Sequence, residues 1–503
     1  MNQPTISLIE AMDDPALFAP WFPGDTWEGW RTVMKAAFAE PMTGEEVEFF
    51  KSIAGDRDPP AKPVRELWVV AGRRAGKDSI ASVIAAHAAA LFSHGNRLRP
   101  GERALVMCLA TDRDQAKVVL NYTRAFYNEI PMLRAMVVNE TAQGFELNNQ
   151  VDVAISTNSF RAVRGRPVLC AILDEIAFWR DESSSTPDVE TYNALKPATA
   201  SIPSSMIIGI SSPYRKSGLL YRKYRDHFGK NSDVLVIRAA TRQLNPLIDQ
   251  SVVDEAMADD AAAASSEWMA EFRDDVGGWA EAELIERAVD DGVTVRPPRR
   301  GVAYRSFCDP SGGSKDSFTA AVAHEEDGVA ILDCLIEIRA PFNPSDATKQ
   351  IADVLKSFGL TDTVGDRYAG EWVVDAFAKC GISYRHSDRD RSSIYLDALP
   401  LFTSGRARLL DNRRLVTQFA SLERRTSSIG KDRVDHGPGG HDDLCNSAAG
   451  ALVLVSKEDQ TPEVSFSYGG YGPRGLARSI NDYLEGNPSP SDRLGRPGFR
   501  PYR

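Results

Sequence analysis

Residues 69–79 read VVAGRRAGKDS, an apolar run followed by a turn of small and basic residues, and an alanine-rich helix is predicted at 80–92. Small residues let backbone N–H groups approach an anion, and the start of a helix adds its dipole to the attraction. A lysine at this position, here Lys77, reaches the β- and γ-phosphates of a nucleotide. The stretch therefore predicts a phosphate-binding loop between a strand and a helix. The candidate nucleotide-binding residues are Gly72, Arg73, Arg74, Ala75, Gly76, Lys77, Asp78 and Ser79.

Two positions depart from the usual pattern of such loops. Ala71 stands in place of the first glycine, and Asp78 stands where a serine or threonine normally ligates magnesium. Ser79 is one candidate for the magnesium position, and Asp78 itself, directly or through water, is the other. A basic turn that merely caps a helix is the structural alternative.

A second apolar run, 168–173, ends in Asp174 and Glu175, the arrangement of a Walker B site. Phosphoryl transfer needs one carboxylate that orients magnesium and one that polarises the attacking water, and Asp174 and Glu175 are predicted in these roles. A third run, IGISSP at 208–213, places Ser211 and Ser212 at a strand end, where a γ-phosphate sensor would lie. Together the three runs predict an ATPase.

Transition-state charge in phosphoryl transfer also needs a cation. Arg73 or Arg74 is the candidate within the loop, and Arg164 or Arg166, in RAVRGR at 161–166, is the candidate that reaches a neighbouring subunit. Placement alone motivates these arginine-finger assignments.

Short apolar runs alternate with helical segments over residues 61–248, which predicts an α/β domain with a mostly parallel sheet. A helical segment at 1–60 precedes it, and a helical linker at 249–300 follows it. An RNase H-like α/β nuclease domain is predicted at 301–457, and the Gly-, Pro- and Ser-rich tail 458–503 is predicted to be flexible. The predicted strands of the ATPase domain are Leu67–Val70, Ala104–Leu109, Val168–Leu173 and Met206–Ile210.

The nuclease prediction rests on three strand-like runs at 302–308, 318–324 and 329–338, followed by a helix at 345–358 and a strand at 362–365. Asp309 ends the first strand, Asp366 ends the last, and Asp442 and Asp443 open a later helix. Carboxylates at such positions can converge on two Mg²⁺ or Mn²⁺ ions for phosphodiester cleavage. Singly, each acid is better explained as a turn or helix cap, whereas the three acids in this order favour a metal site.

Composition sets broad limits. A net charge of −11 argues against a protein that coats nucleic acid over its whole surface, but it allows local basic patches. Such patches are candidates at 215–225, 296–300 and 385–391. The six scattered cysteines indicate neither a zinc site nor disulfides and are predicted to be small buried side chains. No apolar run approaches the roughly 20 residues of a membrane span, so we expect a soluble cytosolic protein.

Over about residues 20–457 the chain resembles the terminase large subunit of tailed bacteriophages. The motifs that carry the resemblance are AGRRAGKD (71–78), LDE (173–175), ISSP (210–213), DPSGGSKDS (309–317), GDRYAGEW (365–372) and GHDDL (440–444). The resemblance implies an oligomeric motor that uses ATP and Mg²⁺ to thread double-stranded DNA into a procapsid through its portal. It also implies an RNase H-like nuclease, a small-subunit partner and a place in the cytoplasm of an infected or lysogenic bacterium.

The resemblance also implies residue roles. Lys77 would contact phosphate, Asp174 the metal, and Glu175 would be the catalytic carboxylate. Ser211 and Ser212 would lie in the motif that couples hydrolysis to domain motion. The nuclease acids would be Asp309, Asp366 and Asp443, with Asp442 as the alternate third acid and Asp316 as an auxiliary. No glutamine that reads adenine is evident upstream, and Trp27 or Trp30 is a weaker candidate for stacking on the base than for core packing.

Three other functions stay open from the sequence alone. One is a helicase-like ATPase with an inert second domain, although no second motor lobe is evident after residue 248. Another is a docking subunit with a lapsed ATP site, which Asp78 motivates. A transposase-type nuclease shares the three acids but has no need of a phosphate-binding loop.

Overall fold

The computed structural model describes residues 6–91, 98–99, 101–111, 113–157, 165–179, 187–367, 371–426, 432–437 and 440–456. Contacts along the chain divide it into two units, with the division between Gly277 and Gly278. Both units are mixed α/β, and no described helix is long and apolar enough to cross a membrane.

The first unit contains an eight-stranded, mostly parallel sheet with the strand order β3-β4-β5-β2-β6-β7-β1-β8. Its strands are β1 (Glu66–Ala71), β2 (Ala104–Ala110), β3 (Val137–Thr141), β4 (Gly144–Leu147), β5 (Val151–Thr157), β6 (Val168–Asp174), β7 (Met206–Ser211) and β8 (Val234–Ala239). Its helices are α1 (Leu8–Asp13), α2 (Glu28–Phe38), α3 (Gly44–Ala54), α4 (Lys77–Ala90), α5 (Arg113–Glu129), α6 (Pro131–Arg134), α7 (Pro187–Thr199), α8 (Gly218–His227), α9 (Thr241–Leu244), α10 (Gln250–Asp259) and α11 (Ala261–Met269), with short 3₁₀ helices at Ala19–Trp21, Asp25–Trp27 and Ile176–Phe178.

Helices cover both faces of this sheet. Alternate residues of β1 enter different cores: Leu67 and Val69 pack with the α1–α5 side, and Trp68 and Val70 pack with the α7–α8 side. Every residue of β1, β2, β6 and β7 is buried, as expected for parallel strands with both faces covered. These are the four strands predicted from the sequence, and all four predictions are confirmed.

The strands β3, β4, β5 and β8 were not predicted from the sequence. The first three form an antiparallel extension at one edge of the sheet. The last four residues of β3, VNET, are exposed, so this strand lacks the continuous apolar run by which the central strands are recognised.

The first 60 residues do not form a separate body. Phe18, Trp30 and Phe50 are fully buried in the same core as Ile80 and Ile84 of α4. The predicted linker 249–300 is likewise shared between the units, because α10 and α11 precede the division at residue 277 and α12 follows it. The physical reason for the first segment is amphipathicity: α2 and α3 bury apolar residues such as Trp30, Val33 and Phe50 in this core.

The second unit is built on a six-stranded sheet with the order β14-β13-β10-β11-β12-β15. Its strands are β10 (Tyr304–Asp309), β11 (Phe318–Glu326), β12 (Val329–Ile338), β13 (Asp362–Gly365), β14 (Ser383–His386) and β15 (Ala407–Arg408), with a separate antiparallel pair β16 (Leu422–Thr426) and β17 (Asp432–His436), while β9 (Val276–Gly278) lies at the division between the units. Its helices are α12 (Ala282–Glu286), α13 (Pro344–Ser357), α14 (Trp372–Lys379), α15 (Arg391–Thr403), α16 (Arg413–Ser421) and α17 (Asp443–Ser456).

Three antiparallel strands, then helix α13 and the parallel strand β13, follow the predicted order, so this part of the prediction is confirmed. Helices α13 and α14 cover one face, and α15, α16 and α17 cover the other. Helix α17 approaches β10 closely, because a Cβ at Gly450 would lie 2.3 Å from the Phe307 ring. Glycine at this position lets the helix that carries Asp443 lie directly on the strand that carries Asp309.

The cysteine prediction is confirmed for five of the six residues. Cys108, Cys170, Cys308, Cys334 and Cys445 are buried and free, whereas Cys380, also free, is partly exposed at the end of α14.

Candidate nucleotide and metal sites

The segment predicted to bind phosphate forms a loop between β1 and α4. Its last residue, Gly76, caps the helix with a φ of 87°. The backbone conformation favours glycine, and a Cβ at Gly76 would also be crowded by the Trp27 ring at 3.0 Å. The first turn of α4 therefore follows directly on a left-handed residue, with its N–H groups at the loop.

Three consecutive carbonyl groups of this loop accept hydrogen bonds from side chains of other elements. Thr241 Oγ1 donates to Arg73 O at 2.8 Å, Asn245 Nδ2 to Arg74 O at 2.7 Å, and Trp30 Nε1 to Ala75 O at 2.6 Å. These bonds fix the loop from both sides. The indole of Trp30 is a buried support of the loop, in agreement with core packing rather than base stacking.

Lys77 is buried at the centre of the site. Its Nζ lies 3.2 Å from Gly72 O, 3.1 Å from Ser212 Oγ and 3.5 Å from Glu175 Oε1. Strand β7 lies between β1 and β6 in the sheet, so Ser211 and Ser212 at its end stand between the loop and the acids. The structure thus brings together the predicted lysine, glutamate and serines.

Glu175 is held in a definite position. Its Oε2 accepts from Ser211 Oγ at 3.0 Å and from the Ser212 N–H at 3.2 Å. Its backbone is left-handed, with a φ of 46°, a conformation that costs a non-glycine residue about 1 kcal/mol. The left-handed backbone therefore gives the Glu175 side chain a different direction from that of a residue in the ordinary extended conformation.

Asp174 and Asp78 are two acids that lie close to each other and to further carboxylate charge beside the loop. Burial and, after it, the nearby carboxylates of Asp78 and Glu175 raise the pKa of Asp174 to about 8. Burial also raises the pKa of Asp78. Among the described residues, no group hydrogen-bonds the buried Oδ1 of Asp174. A hard divalent cation suits such an arrangement, because it supplies both the missing partner and the missing positive charge.

The arginine-finger candidates differ in their surroundings. Arg73 is largely exposed and pairs with Glu267 at 3.2 Å. Arg166 pairs with Asp152 on β5. Arg164 lies outside the described residues.

In the second unit, Asp309 and Asp366 meet at one edge of the sheet. β10 and β13 are parallel neighbours, so their carboxyl ends coincide, and the Asp366 N–H donates to Cys308 O at 3.2 Å. Asn446 Nδ2, on α17, donates to Asp309 Oδ2 at 2.8 Å. Burial raises the pKa of Asp309 to about 7, against the lowering effects of Arg391 and Asn446.

Arg391, the first residue of α15, lies among the acids. Its Nη2 is 3.8 Å from Asp309 Oδ2 and 3.6 Å from Asp366 Oδ2, and its Nη1 is 2.9 Å from Asp442 Oδ1. Acids from three distant stretches of the chain therefore converge on one guanidinium group.

Asp442 and Asp443 play different parts. Both oxygens of the buried Asp442 are engaged, one with Arg391 and one with Tyr395 Oη at 2.9 Å. Asp443 is less enclosed. Its Oδ2 accepts a long bond of 3.3 Å from the Ser317 N–H, and burial followed by the charge of Asp442 raises its pKa.

The acids open into a cleft of about 470 Å³. The side chains around the cleft are mostly polar, and its lining residues are Asp309, Pro310, Ser311, Gly312, Asp316, Ser317, Trp372, Arg391, His436, Gly440, His441, Asp442 and Asp443. The predicted auxiliary Asp316 is therefore at the site. His436 and His441 also line it.

The donor set of the cleft consists of carboxylates, which suits Mg²⁺ or Mn²⁺. However, no three His, Cys, Asp or Glu side chains within the described ranges are already grouped tightly enough to hold a cation. The acids are arranged around the guanidinium of Arg391 instead. The carboxylates of the cleft thus fit the predicted Mg²⁺ or Mn²⁺ ions, while the Arg391 guanidinium occupies the position between the acids.

Three contributors to this site were not predicted as site residues: Arg391, Tyr395 and Asn446. Asn446 follows Asp443 by three residues, so helical periodicity alone places it on the same side of α17. Arg391 was noted only as the end of a basic stretch, and nothing in the sequence near Tyr395 connects it with Asp442.

The chain is similar to phage large terminases. It has 15% sequence identity to the HK97 bacteriophage large terminase, with 85% of this chain and 99% of that chain covered and a TM-score of 0.37. The large terminase nuclease from thermophilic phage G20c with bound magnesium has 17% identity, with 34% of this chain and 96% of that chain covered and a TM-score of 0.30. No protein-family model and no curated protein sequence matches this chain. We therefore base the function on the residues of the two sites.

Proposed function

We propose that this protein is the large subunit of a phage terminase. In this role it hydrolyses ATP in the first unit to move double-stranded DNA into a procapsid, and it cuts concatemeric DNA in the second unit with the help of divalent cations. The observation that carries the proposal is the convergence of Asp309, Asp366 and Asp442 on one guanidinium group, in the same chain as a complete phosphate-binding loop.

In the first unit, Lys77 and the N–H groups at the start of α4 would hold the β- and γ-phosphates of ATP. Asp174 and Asp78 would hold Mg²⁺, which supplies charge neutralisation at the phosphates when it is bound. Glu175, fixed by Ser211 and Ser212, would accept a proton from or orient the attacking water.

Ser212 links the nucleotide to the sheet. Its Oγ bonds to Lys77 and its N–H bonds to Glu175, so a change at either side chain reaches the end of β7. This is the contact through which Ser211 and Ser212 would couple hydrolysis to motion of the chain.

In the second unit, Asp309, Asp366 and Asp443 would hold Mg²⁺ or Mn²⁺, ions that activate water and stabilise a leaving oxygen in phosphodiester cleavage. Asp443 is favoured over Asp442 as the third ligand because both oxygens of Asp442 are already engaged. Asn446 would orient Asp309 through its 2.8 Å hydrogen bond.

The proposed partners are double-stranded DNA, the portal of the procapsid, a small terminase subunit and further copies of this chain, in the cytoplasm of an infected or lysogenic bacterium. Arg73 and Arg164 remain the candidates for the arginine finger. Because Arg73 pairs with Glu267, it would have to exchange this partner for the nucleotide.

Two variants test the proposal, each aimed at one site. Asp366→Ala should abolish nicking of a plasmid with Mn²⁺ and no nucleotide, and should leave ATP turnover intact. Lys77→Ala should abolish ATP turnover and leave the nicking intact. Lys62→Ala, an exposed lysine of the first unit paired with Asp233, serves as the matched control for charge removal.

The outcomes separate the rival functions. Equal nicking by wild type and Asp366→Ala would remove the nuclease assignment and favour a helicase-like ATPase. Equal ATP turnover by wild type and Lys77→Ala would remove the motor assignment and favour a docking subunit. DNA movement without ATP would favour a transposase-type nuclease.

A further inference from the structure

Arg391 lies at the start of a helix, next to the acids of the cleft. α15 begins at this residue, and Asp390 caps the helix through a 2.8 Å hydrogen bond to the Ser393 N–H. The backbone of Arg391 is therefore fixed at the mouth of the cleft. Its side chain is about one-third exposed, so the guanidinium is reachable from solvent.

The contacts of the guanidinium are unequal. The contact with Asp442 is a close hydrogen bond of 2.9 Å, whereas the contacts with Asp309 and Asp366 are 3.8 and 3.6 Å. Tyr395 holds the other oxygen of Asp442 and keeps that carboxylate in place. Arg391 is thus anchored by its hydrogen bond to Asp442 and makes only longer contacts with Asp309 and Asp366.

The charges of the cleft explain why a cation is needed there. Four carboxyl groups, those of Asp309, Asp366, Asp442 and Asp443, are gathered near one guanidinium group. Carboxylates gathered in a partly buried site repel one another when they are ionised, so positive charge among them stabilises the cluster even before any metal ion binds.

We propose that Arg391 is the resident counter-cation of this acid cluster: it holds Asp309 and Asp366 together and gives them up to divalent cations by turning about its anchor at Asp442. This inference rests on the proposed nuclease function. It makes Asp442 a positioning residue for Arg391, and it assigns cation binding to Asp309, Asp366 and Asp443.

A purely structural ion pair would behave differently. Removing a structural arginine would leave the acids disordered and would weaken cation binding. Removing an arginine that competes with metal ions for the acids would strengthen cation binding, because the metal ion would no longer have to displace the guanidinium or bind next to it.

The direct test is the affinity of the full-length protein for Mn²⁺, measured from the electron paramagnetic resonance signal of free Mn²⁺. Arg391→Met should bind Mn²⁺ about tenfold more tightly than wild type. Arg391→Lys, which keeps the charge, should stay within about threefold of wild type. Arg385→Met removes an arginine that pairs with Asp362 away from the cleft, and it should not change the affinity.

The gain must be assigned to this cluster and not to the nucleotide site. The double variant Arg391→Met with Asp366→Asn should not show the tighter Mn²⁺ binding of Arg391→Met, because it also removes one of the acids that Arg391 releases. Unchanged or weaker Mn²⁺ binding by a folded Arg391→Met protein would overturn the inference. If the wild type nicks DNA and binds Mn²⁺ in that case, the proposed nuclease function stands and only the role of Arg391 fails.

A measurement on the wild type covers the case in which Arg391→Met does not fold. Phenylglyoxal modifies accessible guanidinium groups, and mass spectrometry reports the modified fraction at Arg391. Addition of Mn²⁺ should raise this fraction severalfold in wild type and should leave it unchanged in Asp366→Asn. An unchanged fraction in wild type at Mn²⁺ concentrations that support nicking would contradict the displacement of Arg391.

Discussion

In the first unit, the buried Lys77 faces Glu175, while Asp174 keeps an oxygen that no described group hydrogen-bonds. In the second unit, the acids are gathered around Arg391. The first site therefore has a lysine, Lys77, suited to phosphate and an acid, Asp174, suited to a cation. In the second site a cation of the protein itself, the Arg391 guanidinium, lies between the acids. Carboxylate clusters of similar chemistry thus differ in their partners: Asp174 leaves an oxygen that no described group hydrogen-bonds, whereas the acids of the second unit lie around a resident arginine side chain.

Glu66 shows what a structural acid looks like in the same protein. It lies at the start of β1, and burial would raise its pKa, but Lys196 and Lys223 donate hydrogen bonds to it and lower the pKa to about 2. The pKa of Asp174 is about 8 and that of Asp309 is about 7. Buried acids with full lysine compensation are therefore distinguishable from acids whose compensation is missing or incomplete.

The largest expected effect separates the two adjacent acids of the second unit. Asp443→Asn should lower the rate of Mn²⁺-dependent nicking about 10³-fold, because it removes a ligand worth several kcal/mol in the transition state. Asp442→Asn should lower the rate less and the melting temperature more, because Asp442 anchors Arg391 and Tyr395.

Nicking rates and thermal melts of both variants check this expectation. Asp353→Asn, which removes an exposed acid on α13, is the matched control and should change neither quantity. Loss of nicking in Asp442→Asn with normal nicking in Asp443→Asn would reverse the two assignments and weaken the case for Arg391 as a resident cation.

The next effect concerns stability. Glu66→Gln should lower the free energy of unfolding of the first unit at pH 7 by about 3 kcal/mol, because a folded pKa of about 2 against an ordinary 4.5 corresponds to that difference. The contribution is fully present above pH 4.5 and is lost as the pH falls towards 2, since protonation removes the charge that Lys196 and Lys223 compensate. Urea unfolding of wild type and variant at pH 7 and pH 3 measures it.

The difference between wild type and Glu66→Gln should therefore shrink at pH 3. Asp233→Asn, whose partner Lys62 is exposed like itself, should cost about 0.5 kcal/mol or less at either pH. A constant difference at both pH values would show that Glu66 acts through packing and not through its charge.

A smaller effect tests the unusual residue of the phosphate-binding loop. Asp78→Ala should raise the Mg²⁺ concentration for half-maximal ATP turnover by about tenfold, because it removes one of two acids beside the nucleotide. Asp78→Ser should stay close to wild type, since it restores the usual hydroxyl ligand. Magnesium titrations of steady-state turnover give these values.

Ser79→Ala decides between the two interpretations of this position. If Ser79 and not Asp78 serves the metal, the rise in Mg²⁺ requirement appears in Ser79→Ala and is absent from Asp78→Ala.

The two sites also differ in how far their residues could be predicted from the sequence. The nucleotide site is mostly local: loop, lysine and helix occupy one stretch, and Asp174 and Ser212 end buried apolar strands, a pattern that the sequence displays. Trp30 and Thr241, which support the loop, are distant in sequence and were not predicted in this role. Their contacts depend on how helices outside the motif pack.

In the second unit the strand-end acids could be predicted, because parallel neighbours end at the same edge of a sheet. The partner of these acids could not. Arg391 belongs to a helix start after β14, and only the packing of α15 against α17 brings it to Asp442. A charged side chain that contacts a residue of another helix produces no periodic pattern in the sequence of either helix.

The smallest expected effect tests whether the first site depends on its distant supports as the second depends on Arg391. Trp30→Phe keeps the buried ring but removes the 2.6 Å hydrogen bond to Ala75 O, a loss of about 1 kcal/mol. If this bond holds the loop in its binding conformation, the Kd for ATP should rise about fivefold and plasmid nicking should stay unchanged. Trp21→Phe, in the same N-terminal segment but packed against Phe126, should leave the Kd unchanged. An equal Kd for Trp30→Phe and wild type would mean that Thr241 and Asn245 suffice to hold the loop, and that the N-terminal segment contributes core packing to the nucleotide site but not affinity.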